Sequence, residues 1–212
     1  MHDPFEKLLA DIRACTACQG KGNDLPLGPR PILQAGQGAR ILIVGQAPGR
    51  ITHAKGRPFD DASGARLRGW LGVDRETFYD PACFAIIPMG FCYPGTGKGG
   101  DMPPRPECAT LWRAPLLSAL PEIEFTILLG EYAHRWHFAR ANRPIPPGGR
   151  LVERVRAWRE GWPRLIALPH PSPRNIGWFR NNPFFDTEIL PELRARIAGL
   201  LGRSDDGAGA SA

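Results

Sequence analysis

Apolar positions along the chain alternate between short continuous runs and helical stripes. Phe5, Leu8, Leu9 and Ile12 fall on one face at helical spacing, and Asp3 with Pro4 makes a cap-like start, which predicts a helix over 4–14. Arg40 to Gly45 is a β-branched run closed by glycine, the pattern of a short buried strand. Similar runs predict strands at 84–87, 124–129 and 165–168. Helices are predicted over 62–71, 106–120, 131–141 and 151–162, and Ile189, Leu190, Leu193, Ile197 and Leu200 mark a final one. The segments 15–38, 46–61 and 88–105, and the stretch opened by Pro169-His170, read as loops, several of them rich in Gly or Pro. From Ser204 the chain is Gly, Ala, Ser and Asp, so 204–212 is predicted to be a disordered tail behind a single domain over 1–203.

Strands alternating with helices predict an α/β fold, a three-layer α/β/α sandwich on a central, mainly parallel four-stranded sheet. Ligands in open α/β sheets sit beyond the carboxyl ends of the strands. The loops after Val44, Ile87 and Leu168 all leave such ends, so three unusual loops meet at one rim and predict a site there.

Composition narrows the class. The 212 residues are 42% hydrophobic and 23% charged, ordinary globular values that exclude a disordered chain, a fibre and a coiled coil. No apolar run approaches the roughly 18 residues of a membrane span. The start Met1-His2-Asp3-Pro4-Phe5 lacks the basic and apolar regions of a signal peptide. A soluble, cytoplasmic protein without membrane partners is expected, and a monomer. In such a compartment the five cysteines point to metal, catalysis or core filling rather than disulfides. The net charge is +6, and of the 27 basic residues only four are lysines: Lys7, Lys21, Lys55 and Lys98. Arginine suits bidentate phosphate contacts, so nucleic acid is one reading of the charge. A solvated basic surface accounts for it equally well.

Four candidates for chemistry stand out. Cys15 and Cys18 form C-x2-C at a helix end, and Cys92 and Cys108 form C-x15-C around a Gly/Pro loop. Two such pairs suffice for a tetrahedral zinc or an iron–sulfur cluster, with spacing alone favouring zinc slightly. Cys83 opens a strand and reads as a core thiol. Gly45-Gln46-Ala47-Pro48-Gly49 is a small turn that lets backbone approach a ligand, without the spacing of a Walker loop or a dinucleotide fingerprint. Gly56 to Gly64 offers Phe59 and the acids Asp60 and Asp61 ahead of a helix start, where the plain role of Asp61 is an N-cap. His170-Pro171-Ser172-Pro173-Arg174-Asn175 is a proline-stiffened loop opened by a histidine at a strand's carboxyl end. His134 and His137, three apart on a helix, read as packing or surface rather than as ligands.

In this order, Gly45 to Gly49, Arg57-Pro58-Phe59 with Asp61-Ala62-Ser63-Gly64, and His170 to Pro173 resemble the motifs of uracil-DNA glycosylases. The cysteine pairs resemble the cluster ligands of the iron–sulfur branches, families four and five. The resemblance covers roughly residues 12–200. It implies a [4Fe-4S] cluster on Cys15, Cys18, Cys92 and Cys108 and DNA containing uracil as partner. It further implies that Phe59 stacks on a flipped base, as enzymes acting on a base must extrude it. His170 would donate to the uracil oxygen as negative charge develops. Asp61 would steady the sugar cation and hold the attacking water. Backbone near Gln46 and Ala47 would line the pocket. Pro171, Ser172 and Pro173 would pinch the DNA backbone, and Arg174 would hold phosphate.

The chain departs from the family pattern in three places. Families four and five commonly carry Asn after the second strand to read uracil's edge, and alignment on Cys92 puts Pro88 there. Gln46 stands where family four usually has Glu, and Ala47 where family one has Asp. Candidate readers of the base are therefore Gln46, Asn175 and the backbone of 87–90. A related branch captures DNA through a histidine in an inserted loop, but Tyr93 to Glu107 contains none. The expected activity is monofunctional uracil excision leaving an abasic site, with Lys55 the lysine nearest the motifs. Alternatives are a non-catalytic iron–sulfur DNA-binding protein of the same fold, a glycosylase for another deaminated base, and a zinc-stabilised ligand-binding protein unrelated to DNA.

Overall fold

A computed structural model describes residues 3–20, 24–140 and 149–202. The predicted tail at 204–212 and the last residue of the predicted 131–141 helix lie outside the described residues. Four strands form one sheet: β1 (Ile41–Val44), β2 (Phe84–Ile86), β3 (Phe125–Leu129) and β4 (Leu165–Leu168), in spatial order β2-β1-β3-β4. All of their pairings are parallel, so "mainly parallel" becomes wholly parallel. From β1 the chain steps to β2 on one side and later to β3 and β4 on the other, which places a topological switch between β1 and β3.

Strand side chains alternate between faces, and both faces are buried. Ile41, Ile43, Phe84, Ile86, Ile127 and Ile166 pack with Leu67, Trp70, Leu193 and Ile197 on one side. Leu42, Val44, Ala85, Ile87 and Leu128 pack with Phe5, Leu9, Ile12 and Leu116 on the other. This is why the strands read as continuous apolar runs, and it gives the three layers. Among the described residues no helix is long and apolar enough to cross a membrane.

Helix ends follow local chemistry. In α1 (Pro4–Arg13) the Asp3 carboxylate caps the Phe5 N–H at 2.9 Å. The predicted loop at 46–61 contains a short helix, α2 (Arg50–Lys55). Helix α3 (Ala62–Leu71) matches its predicted bounds, with Asp61 capping it and a left-handed Gly72 closing it. Helix α4 (Arg75–Tyr79) has no counterpart in the sequence reading: five residues are too few for a periodicity signal. The predicted 106–120 helix is α5, covering 106–118 and interrupted by a π turn at Ala109–Arg113. Pro115 causes this break, since it has no N–H to give Leu111. After α6 (Glu131–Arg140), the predicted 151–162 helix is α-helical only in α7 (Leu151–Arg156) and then tightens to a 3-10 turn. The segment after β4 holds a further helix, α8 (Ile176–Arg180). The final helix, α9 (Leu190–Leu200), follows a second π turn at Phe185–Ile189, again ahead of a proline, Pro191.

His134 on α6 is fully buried, and its Nε2 lies 3.2 Å from the Leu128 carbonyl and 3.0 Å from that of Leu168. Both partners are acceptors, so Nε2 carries the proton and ties the ends of β3 and β4 together. Burial pushes His134 down to about 4 and His137 down to about 3. An unfolded histidine titrates near about 6.5. Between these values the unfolded chain takes up protons that the folded chain refuses, so stability falls as pH drops. The urea midpoint is predicted to decline from pH 7 to pH 4.5, and less steeply in His134→Gln, whose amide can serve the same carbonyls. Equal slopes for the two proteins would remove His134 as a cause.

Candidate functional site

A cleft of about 560 Å3 opens at the carboxyl ends of the strands. The 45–52 turn, Pro88, Phe59, Asp61, Ser63, Asp101, His170, Ser172, Arg174 and Asn175 line it. The loops after β1, β2 and β4 thus meet at one rim, at the switch point.

Phe59 sits in the left-handed region with φ 52°, which is uncommon outside glycine. Three consecutive carbonyls of its turn each have a side-chain donor. Tyr79 Oη reaches Pro58 O at 3.0 Å, Arg68 reaches Phe59 O at 3.5 Å, and Lys55 Nζ reaches Asp60 O at 2.7 Å. Arg75 also binds the Asp60 carboxylate at 2.9 Å and holds its pKa below the usual range. Two glycines make room for this turn. A Cβ on Gly64 would stand 1.7 Å from Phe59 O, and one on Gly45 would stand 3.3 Å from the Phe59 ring edge. The ring therefore lies beside the Gly45 turn, with its centroid 6.2 Å from that of His170.

Asp61 has the plain role and faces the cleft as well: its Oδ1 accepts from the Gly64 N–H at 2.9 Å while the residue lines the pocket. Burial pushes His170 below the ordinary histidine range, with Asp61 and Asp101 pulling the other way. His170 is therefore neutral at neutral pH and offers a single ring N–H. Its loop is anchored by one residue outside the cleft lining and one within it. Arg66 on α3 donates to Pro171 O at 3.3 Å and Ser172 O at 3.0 Å, and Asn175 Nδ2 donates to His170 O at 2.7 Å.

The candidate readers of a base are largely committed elsewhere. Gln46 Nε2 donates to Met102 O at 3.1 Å, holding the loop that carries Asp101. Asn175 has its amide donor on His170 O. The N–H groups of Ile87, Met89 and Gly90 donate to Ile43, Gly45 and Gln46 carbonyls at 2.9 Å each, and Pro88 has none. The 87–90 backbone therefore offers no free N–H to a ligand. Arg174, predicted to hold phosphate, is exposed at the cleft rim. Lys55 is held on Asp60 and is absent from the lining. Three positions at or behind the cleft lay beyond sequence reasoning: Asp101 in the lining, Arg66 on the carbonyls of 171–172, and Arg113 on those of 87–88. Asp101 had only its place in a Gly-rich loop to mark it, and the two arginines had no signal at all.

Cys15, Cys18, Cys92 and Cys108 occupy one neighbourhood. Burial pushes Cys92 up to about 12 and Cys108 up to about 11, and each feels the other three thiols or two of them. Each sulfur has one N–H donor. Trp112 Nε1 donates to Cys15 at 3.2 Å and the Phe91 amide to Cys108 at 3.5 Å. The Arg105 side chain serves Cys18, and the Arg30 backbone serves Cys92. Among the described residues no three His, Cys, Asp or Glu close round a single metal ion. Four hydrogen-bonded cysteines in one neighbourhood are a donor set that suits a tetrahedral zinc or an iron–sulfur cluster. Cys83 stands apart, against the core and 3.5 Å from Asp80 Oδ2.

Residues 34–194 match the family described as the uracil DNA glycosylase superfamily. The chain belongs to that superfamily. A type-4 uracil-DNA glycosylase of Sulfurisphaera tokodaii is 23% identical over 182 residues, which cover 80% of this chain and 75% of that protein. The family match over 34–194 contains the whole sheet, the cleft motifs from Gly45 to Asn175, and Cys92 and Cys108. Cys15 and Cys18 lie ahead of it.

Proposed function

We propose that the protein is a monofunctional uracil-DNA glycosylase that flips uracil out of DNA and hydrolyses its N-glycosidic bond, leaving an abasic site. The observation that supports this most is the meeting of Phe59, Asp61 and neutral His170 in one cleft of a superfamily member. The flipped base stacks on Phe59, whose ring is fixed beside the Gly45 turn. As the bond breaks, negative charge builds on the base, and the His170 N–H strengthens its bond to the uracil oxygen. One such donor contributes about 3–4 kcal/mol in the transition state. Asp61 already holds the Gly64 N–H with Oδ1, so Oδ2 takes the water and faces the sugar cation. Pro171, Ser172, Pro173 and Arg174 meet the DNA backbone, where contacts position without specifying sequence. Lys55 is tied to Asp60 and lies off the cleft lining, so it is not the nucleophile on the sugar.

The same reading places a [4Fe-4S] cluster on Cys15, Cys18, Cys92 and Cys108. There it cross-links the end of α1 to the start of α5 and takes no part in the reaction. One observation favours a second reading, a glycosylase for another deaminated base: Pro88 and the committed 87–90 amides replace the usual Asn reader.

Single-turnover release of free base from oligonucleotides containing uracil, hypoxanthine or a thymine mismatch tests both readings. Asp61→Asn can still cap α3, and its uracil release is predicted to fall roughly 100-fold or more with binding retained. His170→Ala is predicted to fall comparably with an unchanged Tm. An Asp61→Asn variant that melts early yet cuts normally would leave Asp61 as a cap alone. Release of hypoxanthine but not uracil would favour the second reading, and release of neither would sink both.

Metal analysis tests the cluster. Protein made anaerobically with ample iron is predicted to be brown and to hold about four irons per chain. Cys92→Ser should lose them and Cys83→Ser should keep them. Zinc-loaded, iron-free protein from the same preparation contradicts the cluster.

A further inference from the structure

Arg113, at the end of the π turn in α5, is 1% exposed and heads the large fully buried side chains. Its Nη1 donates to Ile87 O at 3.4 Å and Pro88 O at 3.2 Å, and its Nη2 lies 2.8 Å from His137 Nε2. The guanidinium lies 4.6 Å from the centroid of the Trp136 ring. Burial pushes it down to about 9, which leaves it cationic at neutral pH. His137 is neutral there and so accepts at Nε2. Among the described residues the charged neighbour acting on Arg113 is Arg140, which repels it, and no carboxylate answers it. A buried charge without a counter-ion is expensive, and a neutral donor would serve two carbonyls at lower cost. Pro88, which Arg113 holds from behind, is a wall of the cleft.

We propose that Arg113 is a positioning residue for base release: it fixes the Ile87–Pro88 wall and lends it a positive field that favours the departing base anion. This rests on the reading of the cleft as a base-excising site. A preorganised charge aimed where negative charge develops acts on the transition state more than on the ground state. It also gives Pro88 a place in the chemistry, since the wall works through the cation behind it and not through a donor of its own. The π turn that Pro115 imposes on α5 ends at this residue, and such turns recur at functional sites.

The test compares uracil with 5-fluorouracil in the same oligonucleotide under single-turnover conditions. Fluorine withdraws electrons and stabilises the departing anion, so the fluorinated base needs less help. Arg113→Gln keeps a donor and removes the charge. It is predicted to slow uracil release about tenfold or more, with a clearly smaller defect for 5-fluorouracil and substrate binding within about twofold of wild type. Arg113→Met, a second neutral variant, gives the same comparison should the glutamine variant fail to fold. A defect equal for both bases in the neutral variants, or no defect, overturns the role of Arg113. A wild-type protein that releases neither base sinks the underlying reading instead.

Discussion

Loop backbone at the rim of a parallel sheet has no neighbouring strand to satisfy its carbonyls, and water is displaced from them once a ligand fills the cleft. Buried carbonyls need donors. In this protein long side chains supply many of them. Tyr79, Arg68 and Lys55 hold three successive carbonyls at 58–60, Arg66 and Asn175 hold three at 170–172, and Arg113 holds two at 87–88. The cleft residues proposed to act on the base and sugar, Phe59, Asp61 and His170, ride on or beside these anchored turns. A hydrogen bond from a charged donor contributes about 1.5–3 kcal/mol. The set is enough to hold a left-handed Phe59 in place against its strain.

This use of arginine changes the meaning of the basic composition. One terminal nitrogen, Nη1, donates to two adjacent carbonyls in Arg66 and in Arg113, and Arg30 does the same for His53 and Ala54. A share of the positive charge is thus internal scaffolding rather than a surface for phosphate. Exposed Arg174 at the rim belongs to the outer share.

Much of the architecture was legible in the sequence because its signals are local. The four strands were visible as apolar runs since both sheet faces are buried, and α3 was visible to the residue because a capping Asp61 and a left-handed Gly72 bracket it. The rim motifs were legible as loops leaving strand ends. What escaped depends on contacts distant in sequence. Helix α4 is too short to show a period, yet its Tyr79 reaches Pro58. The side-chain amides of Gln46 and Asn175 looked like readers of a ligand, but both have main-chain carbonyls to hold. The cysteine spacing paired the thiols without revealing that the two pairs share one neighbourhood.

Arg66 tests the anchoring claim most directly, because its hydrogen bonds to the His170 loop go to the carbonyls of Pro171 and Ser172, from outside the cleft lining. Arg66→Met keeps an apolar stem over the Phe179 ring, 5.7 Å from the guanidinium, and removes both hydrogen bonds. Single-turnover uracil release, measured beside affinity for uracil DNA and Tm, gives the answer. The account predicts release slowed about tenfold or more with Tm lowered only slightly, as loss of positioning costs rate before stability. Release at the wild-type rate, with both hydrogen bonds gone, would contradict it.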